Sequence, residues 1–220
     1  MRPKPDPAAS NPRLCALRWN GREVIAGCGR TASTGSVCSW TQTRKLKRRR
    51  IEVAASNARV FEVTRQLQHP RATVWKAWSE RDRMEKWWGP KGCKVRALRF
   101  EFRPGGFFHY SMETPGASPM WGRFNFLEIS APARIVWLNS FANQDCGMAR
   151  APFSDKCPLE ILNVVTFSDT AEGTTQFLRA EPFGASEDEM KFFEDLCSSG
   201  NLAQGFGGTF DQLTDHLNGA

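Results

Sequence analysis

The 220 residues carry 30 Lys and Arg against 23 Asp and Glu, a formal charge of +7, with 40% hydrophobic residues. That is enough chain for one sizeable core and too little for two large domains. No stretch approaches the ~20 consecutive apolar residues of a membrane-spanning helix, and the 7 cysteines, an odd number with no CxxC pair, fit neither a stapled secreted module nor a common zinc site.

The charge is unevenly placed. Residues 1–58 hold 12 Lys and Arg against Asp6, Glu23 and Glu52, a net +9, which leaves a net −2 for residues 59–220. The segment opens with Pro3, Pro5, Pro7 and Pro12, passes through a Gly/Ser/Thr stretch and closes on the run RKLKRRR. It keeps no apolar period, so burial cannot offset the entropy of ordering it. It is expected to be a disordered basic extension, or to reflect a start assigned too far upstream. A nonspecific contact with polyanions through Arg44, Lys45, Lys47, Arg48, Arg49 and Arg50 is the alternative. The early prolines speak against the amphipathic helix of an organelle transit peptide.

From Arg59 the pattern becomes regular. Phe61, Val63, Arg65 and Leu67 alternate with Glu62, Thr64 and Gln66, which predicts a strand ending before His69-Pro70. Pro70 then suits the first position of a helix with Val74, Trp75 and Trp78 on one face. Ser79 and Asp82 have the spacing of a capping box for a second short helix bearing Met84, Trp87 and Trp88, stopped by Gly89-Pro90.

Six strand-like runs follow: 94–102, 107–114, 120–129, 135–141, 159–168 and 174–180. Their separators are Arg103-Pro104-Gly105-Gly106, Pro115-Gly116, Ala131-Pro132, the long stretch 142–158 and Glu172-Gly173. Such short links leave no room for helical crossovers, so the sheet is predicted to be antiparallel. Ser186 with Glu189 then caps a long helical pattern through Phe192, Phe193 and Leu196, continuing with Leu202, Phe206, Phe210, Leu213 and Leu217. Ser198-Ser199-Gly200 is expected to break it. Gly205, Gly207 and Gly208 suit a helix backbone that approaches the sheet or a ligand closely.

This order predicts an α+β helix-grip fold: a seven-stranded antiparallel sheet curled around a long C-terminal helix, with two short helices after the first strand. The stretches FEVTRQLQHPRATVWKAWSERDRMEKWWGP, FRPGGFFHYSM, GRFNFLEI, EPFGASEDEMKFFE and GFGGTFDQL resemble the START-like (SRPBCC) superfamily, and specifically bacterial homologues of the activator of the heat-shock-protein-90 ATPase. The resemblance spans residues 59–217 and departs from the family pattern at Leu202, where methionine is common. It implies a START-like domain over 59–220 and a cytoplasmic protein, and it supplies no catalytic residue.

Function has to be sought in the site. The resemblance turns Phe108, Tyr110 and Met112 inward, which places His109 outside as a solvated residue. His69 and His216 read as structural or exposed, so a histidine metal site or a Ser-His-Asp hydrolase is not expected. Arg103 reads as a turn residue, with a ligand carboxylate at the pocket rim as the alternative. Trp87 and Trp88 fall about 100° apart on a helix, so that one can anchor the core while the other walls the cavity or lies at its mouth, with a purely structural role for both as the alternative. Cys93, Cys146, Cys157 and Cys197 read as buried or incidental. Glu160 and Asp145 are the carboxylates that would serve a cyclase-like or hydrolase-like enzyme.

The expectation is therefore a binding module without cofactor or metal. It would hold a small hydrophobic ligand in a cavity lined by Trp75, Trp88, Phe108, Tyr110, Met112, Phe124, Trp137, Phe206 and Phe210. Tyr110 is the expected polar anchor. A co-chaperone that docks on a chaperone and stimulates its ATPase is the alternative the resemblance implies, and a polyketide cyclase-like enzyme is the third.

Overall fold

The computed structural model describes residues 59–219 and, ahead of them, the two-residue strands β1 (Arg18–Trp19) and β2 (Arg22–Glu23), paired antiparallel. The remainder of residues 1–58, with the basic run and the reading of it as a disordered arm, lies outside the described residues. From Phe61 the order is β3 (Phe61–Leu67), α1 (Arg71–Ser79), α2 (Arg81–Trp87), β4 (Lys94–Phe100), β5 (Phe107–Glu113) and β6 (Met120–Ser130). It continues through β7 (Arg134–Ala142), β8 (Met148–Ala149), β9 (Glu160–Thr170), β10 (Gly173–Phe183), α3 (Glu187–Ser198) and α4 (Asn201–Asn218).

The main sheet runs β3-β10-β9-β7-β6-β5-β4, antiparallel at every step, with the short β8 added on β7. These are the seven expected strands plus one inside the long 142–158 stretch. Two register shifts bend the sheet, one between Ala97 and Arg99 and one between Phe126 and Glu128. The extra residues, Leu98 and Leu127, leave the pleat and stand 44% and 45% exposed. Such bulges raise local twist, as a sheet that wraps a helix requires.

Alternation decides the inner face. Phe61, Val63, Arg65 and Leu67 are buried while Glu62, Thr64 and Gln66 are not. Residues paired directly across strands share a face. The inner face therefore carries Phe61–Ala180–Asn163–Trp137–Phe126 as one cross-strand row. The next row is Pro182–Ile161–Asn139–Phe124–Phe108–Phe100. Phe210, Leu213 and Leu217 of α4 join this face in one hydrophobic core with Val74, Trp78, Met84 and Trp87 of α1 and α2.

The helix ends follow local chemistry, with two departures from expectation. Ser79 closes α1 rather than capping α2, whose N-cap is Glu80 without a side-chain cap bond. An ion pair replaces the capping box, Arg83 Nε donating to Glu80 Oε2 at 2.6 Å across the first turn. Pro70 is the N-cap of α1 and not its first helical residue, and α2 ends at Trp87, so Trp88 sits beyond it in extended backbone. Ser186 and Glu189 do form the reciprocal capping box of α3. The break before α4 falls at Gly200, whose φ of 76° is left-handed and ends a helix at little cost for glycine.

Candidate functional site

Five of the nine sequence-predicted lining residues come together ring against ring on the inner face. Phe124 is the hub, 4.9 Å from Trp88, 5.0 Å from Trp137, 5.3 Å from Phe108 and 5.9 Å from Tyr110, centroid to centroid. Phe108 and Tyr110 stack at 4.6 Å. Met112 is buried at the same end, its sulfur facing Gly89. Phe206 and Phe210 form a second group on α4, 5.9 Å apart, with Phe206 stacked on Phe61 at 5.2 Å. Trp75 stands apart, meeting Phe102 at 5.7 Å and Phe167 at 5.9 Å, edge to face. Of the nine, only Trp75 and Phe206 are half-buried; the others are closed off from solvent.

Polar groups punctuate this apolar face. Burial pushes the Tyr110 phenol up to about 12, and a hydrogen bond with the Trp88 side chain offsets part of that. Tyr110 therefore stays neutral at physiological pH. Gln176 is fully buried and accepts from Trp78 Nε1 at 3.0 Å. Arg65, 7% exposed, reaches from β3 to α4, where its Nη2 donates to the Gly207 carbonyl at 3.0 Å and to Asp211 Oδ1 at 2.6 Å. Asn163 donates to the Ile161 carbonyl at 2.9 Å. Among the described residues, Trp137 Nε1, Asn139 Oδ1, Gln176 Nε2 and Arg65 Nε are buried without a partner.

Asn139, Asn163, Gln176 and Arg65 were not singled out by sequence. Their signal was nonetheless present, because each occupies an inward step of an alternating strand. Asn139 falls between Trp137 and Phe141 in the run from Ile135.

The other candidates are placed differently. His109 does point away from the inner face, but it is 3% exposed and not solvated. The 143–147 turn folds onto it, the Asn143 carbonyl accepting from His109 Nε2 at 3.0 Å. Arg123 holds the same turn by donating to the Cys146 carbonyl at 2.8 Å. Trp87 and Trp88 are both buried, and Trp87 Nε1 donates to the Ala77 carbonyl at 2.8 Å. Arg103 is exposed and paired with Glu101 at 3.1 Å. Asp145 is exposed on the turn, and Glu160 opens β9 one step out of phase with the inward Ile161. Burial pushes the thiols of Cys157 and Cys197 up to about 11, which suppresses the thiolate a nucleophile needs. Cys93 Sγ lies 3.1 Å from Thr114 Oγ1. No group of three His, Cys, Asp or Glu side chains gathers among the described residues. No helix among them is long and apolar enough to cross a membrane.

The strap between β7 and β9, residues 143–158, joins this site to α3. Arg150 pairs with Glu189 and also donates to the Cys157 carbonyl at 3.3 Å, while Phe153 meets the Phe141 ring at 5.6 Å. The Arg150 guanidinium and the Ser186 backbone N–H both hold the Glu189 carboxyl below the usual carboxylate range.

Comparison with known proteins matches residues 68–218 to a family model described as Activator of Hsp90 ATPase homolog 1-like protein. Among solved structures, the chain is similar to protein Ms6760 from Mycobacterium smegmatis, with 18% identity, a TM-score of 0.59 and 74% of this chain and 92% of that one covered. A protein from Arthrobacter aurescens, solved by NMR, shares 21% identity at a TM-score of 0.62, covering 74% and 88%. One from Rhodobacter sphaeroides shares 15% identity at 0.61, covering 78% and 100%. At these identities the likeness shows the fold alone. No curated protein matches the chain.

Proposed function

Its family model spans residues 68–218, more than half of the 220, so the chain belongs to the Activator of Hsp90 ATPase homolog 1-like family, and from that premise we propose that it is a binding module holding a small apolar ligand between the inner sheet face and α4. One observation carries this reading. Met120 and Ile161 on the strands, Cys197 on α3, and Leu202, Ala203 and Phe206 on α4 all pack against the core yet remain only half-buried. Inward apolar side chains that keep contact with solvent are what the mouth of an apolar site presents. The enclosed rings, from Trp88 through Trp137 to Phe210, then serve as wall, and Phe206 and Trp75 as rim.

Burying ~250 Å² of ligand at ~25 cal/mol per Å² gives ~6 kcal/mol gross, which after ordering losses corresponds to micromolar affinity at best. Titration with an apolar fluorescent probe is expected to saturate at one per chain in that range. Mass spectrometry of protein purified from its source is expected to show a co-purifying small molecule. Probe binding that never saturates would sink the reading.

The family description favours a second reading, a co-chaperone that stimulates a heat-shock-protein-90 type ATPase. Adding the chain to such a chaperone and following ATP turnover separates the two, since a docking surface needs no open site. The enzyme reading finds no support in Asp145 or Glu160, which do not face the inner sheet. Either binding role suits a cytoplasmic protein, and the run Arg44 to Arg50 suits salt-sensitive contact with polyanions.

A further inference from the structure

The unpartnered Trp137 Nε1 and Asn139 Oδ1 lie two residues apart on the inner face of β7. Their backbone positions are therefore about 6.6 Å apart. The indole N–H is a donor that cannot accept, and the amide oxygen is an acceptor that cannot donate. Buried groups of this kind nearly always have partners in native proteins. The half-buried Ile161 pairs with Asn139 across β7 and β9, and the buried Asn163 pairs with Trp137. Beyond Asn163 the row narrows to Ala180 and ends at Phe61 under Phe206.

These two rows hold no charged side chain on the inner face. The buried cation of that face, Arg65, is four residues along β3 from Phe61, about 13 Å away, and is engaged through its Nη2 by Gly207 and Asp211.

We propose that the ligand is a neutral apolar molecule bearing a hydroxyl, a phenol or an alcohol, whose oxygen accepts from Trp137 Nε1–H and donates to Asn139 Oδ1 while its apolar body lies against Ile161 and Phe206. This deepens the binding reading above and rests on it. A hydroxyl is a single-atom group that satisfies a donor and an acceptor together, and at ordinary hydrogen-bond lengths it bridges groups up to ~5.5 Å apart. A carboxylate only accepts. It would set its charge against the Asn139 oxygen with no cation beside it. A hydrocarbon would leave both atoms unpartnered.

The test compares 1-naphthol, 1-methylnaphthalene and 1-naphthoate by calorimetry at neutral pH on the full chain, with the indole N–H resonance of Trp137 followed by NMR. Naphthol is expected to bind about ten-fold or more tightly than either analogue and to shift the Trp137 resonance. Asn139→Leu, which keeps the side-chain bulk, is expected to erase that preference by weakening naphthol and not methylnaphthalene. Equal affinity for naphthol and methylnaphthalene would overturn the hydroxyl assignment and leave the apolar site standing, with a bound water as the partner of the two atoms. Tighter binding of naphthoate would overturn it in favour of an acid. Failure of all three to bind would remove the binding reading itself.

Discussion

Tyr110 lies with its ring across the backbone of Gly122, its cross-strand partner, so that a Cβ at that position would come within 2.5 Å of the phenol carbon and oxygen. Glycine is required there by the ring and not by the turn chemistry that sequence reading associates with it, and nothing in the alternation of β6 announces the contact. The same burial sets a pH dependence. The folded Tyr110 titrates at about 12 against 10.0 for the free side chain, so above the unfolded value the folded state binds more protons than the unfolded one. Its contribution is fully present below pH 10 and is lost as pH rises through 12, an effect of roughly 2–3 kcal/mol over that window. Chemical unfolding at pH 8 and pH 11 is expected to show a smaller alkaline loss for Tyr110→Phe than for wild type. An identical loss in both would mean that other groups carry it. At this scale the apolar lining was legible because rings recur at inward steps. The polar atoms among them are not legible in the same way, because strand periodicity marks an inner face through its apolar members, and His109 shows the converse. Its direction followed from alternation, while its burial depends on a turn more than 30 residues away in sequence.

Elements were the most legible level where local chemistry decides them. The capping box at Ser186 and the break at Gly200 are satisfied within one turn of chain, so sequence suffices to place them. The junction of α1 and α2 was misplaced because Ser79 can cap only if the chain leaves the helix there, and α1 instead runs through it to Glu80. Bulges at Leu98 and Leu127 were invisible, since an extra residue looks like any other until its partner strand is known. The strap 143–158 depends on one side chain with two duties: Glu189 closes the capping box of α3 through one oxygen and holds Arg150 through the other. Glu189→Gln is expected to keep most of the cap but release the strap, seen as faster limited proteolysis within 143–158 with a stability loss of no more than about 1 kcal/mol. Glu189→Ala is expected to lose about 1 kcal/mol more, the value of a helix cap. Because the carboxyl of Glu189 is held below its ordinary range, the pair contributes above the unfolded pKa near 4.5 and is lost as pH falls through the folded one. Proteolysis of the strap in wild type should then rise on acidification, and a rate indifferent both to pH and to Glu189→Gln would show that Arg150 does not hold it.

Across the whole molecule, the helix that crosses the sheet is divided by its own packing. Gly205 and Gly207 are buried, and Arg65 reaches the Gly207 carbonyl from β3, so this stretch of α4 lies close against the sheet edge. Phe210, Leu213 and Leu217 beyond it are fully enclosed, while Leu202, Ala203 and Phe206 before it are half-exposed. One end of α4 is thus core and the other is rim, although both present phenylalanine at helical spacing and sequence alone treats them alike. Phe210→Ala is expected to lose about 3–5 kcal/mol, as enclosed rings do. Phe206→Ala should lose clearly less, because solvent already reaches its ring and Phe61 remains beneath it, yet it should change probe affinity several-fold by widening the mouth. Urea unfolding and probe titration on the two variants measure both quantities. If Phe206→Ala proves as destabilising as Phe210→Ala and wild type takes up no probe, the space under α4 is filled throughout, and a surface role on a chaperone becomes the better account of the fold.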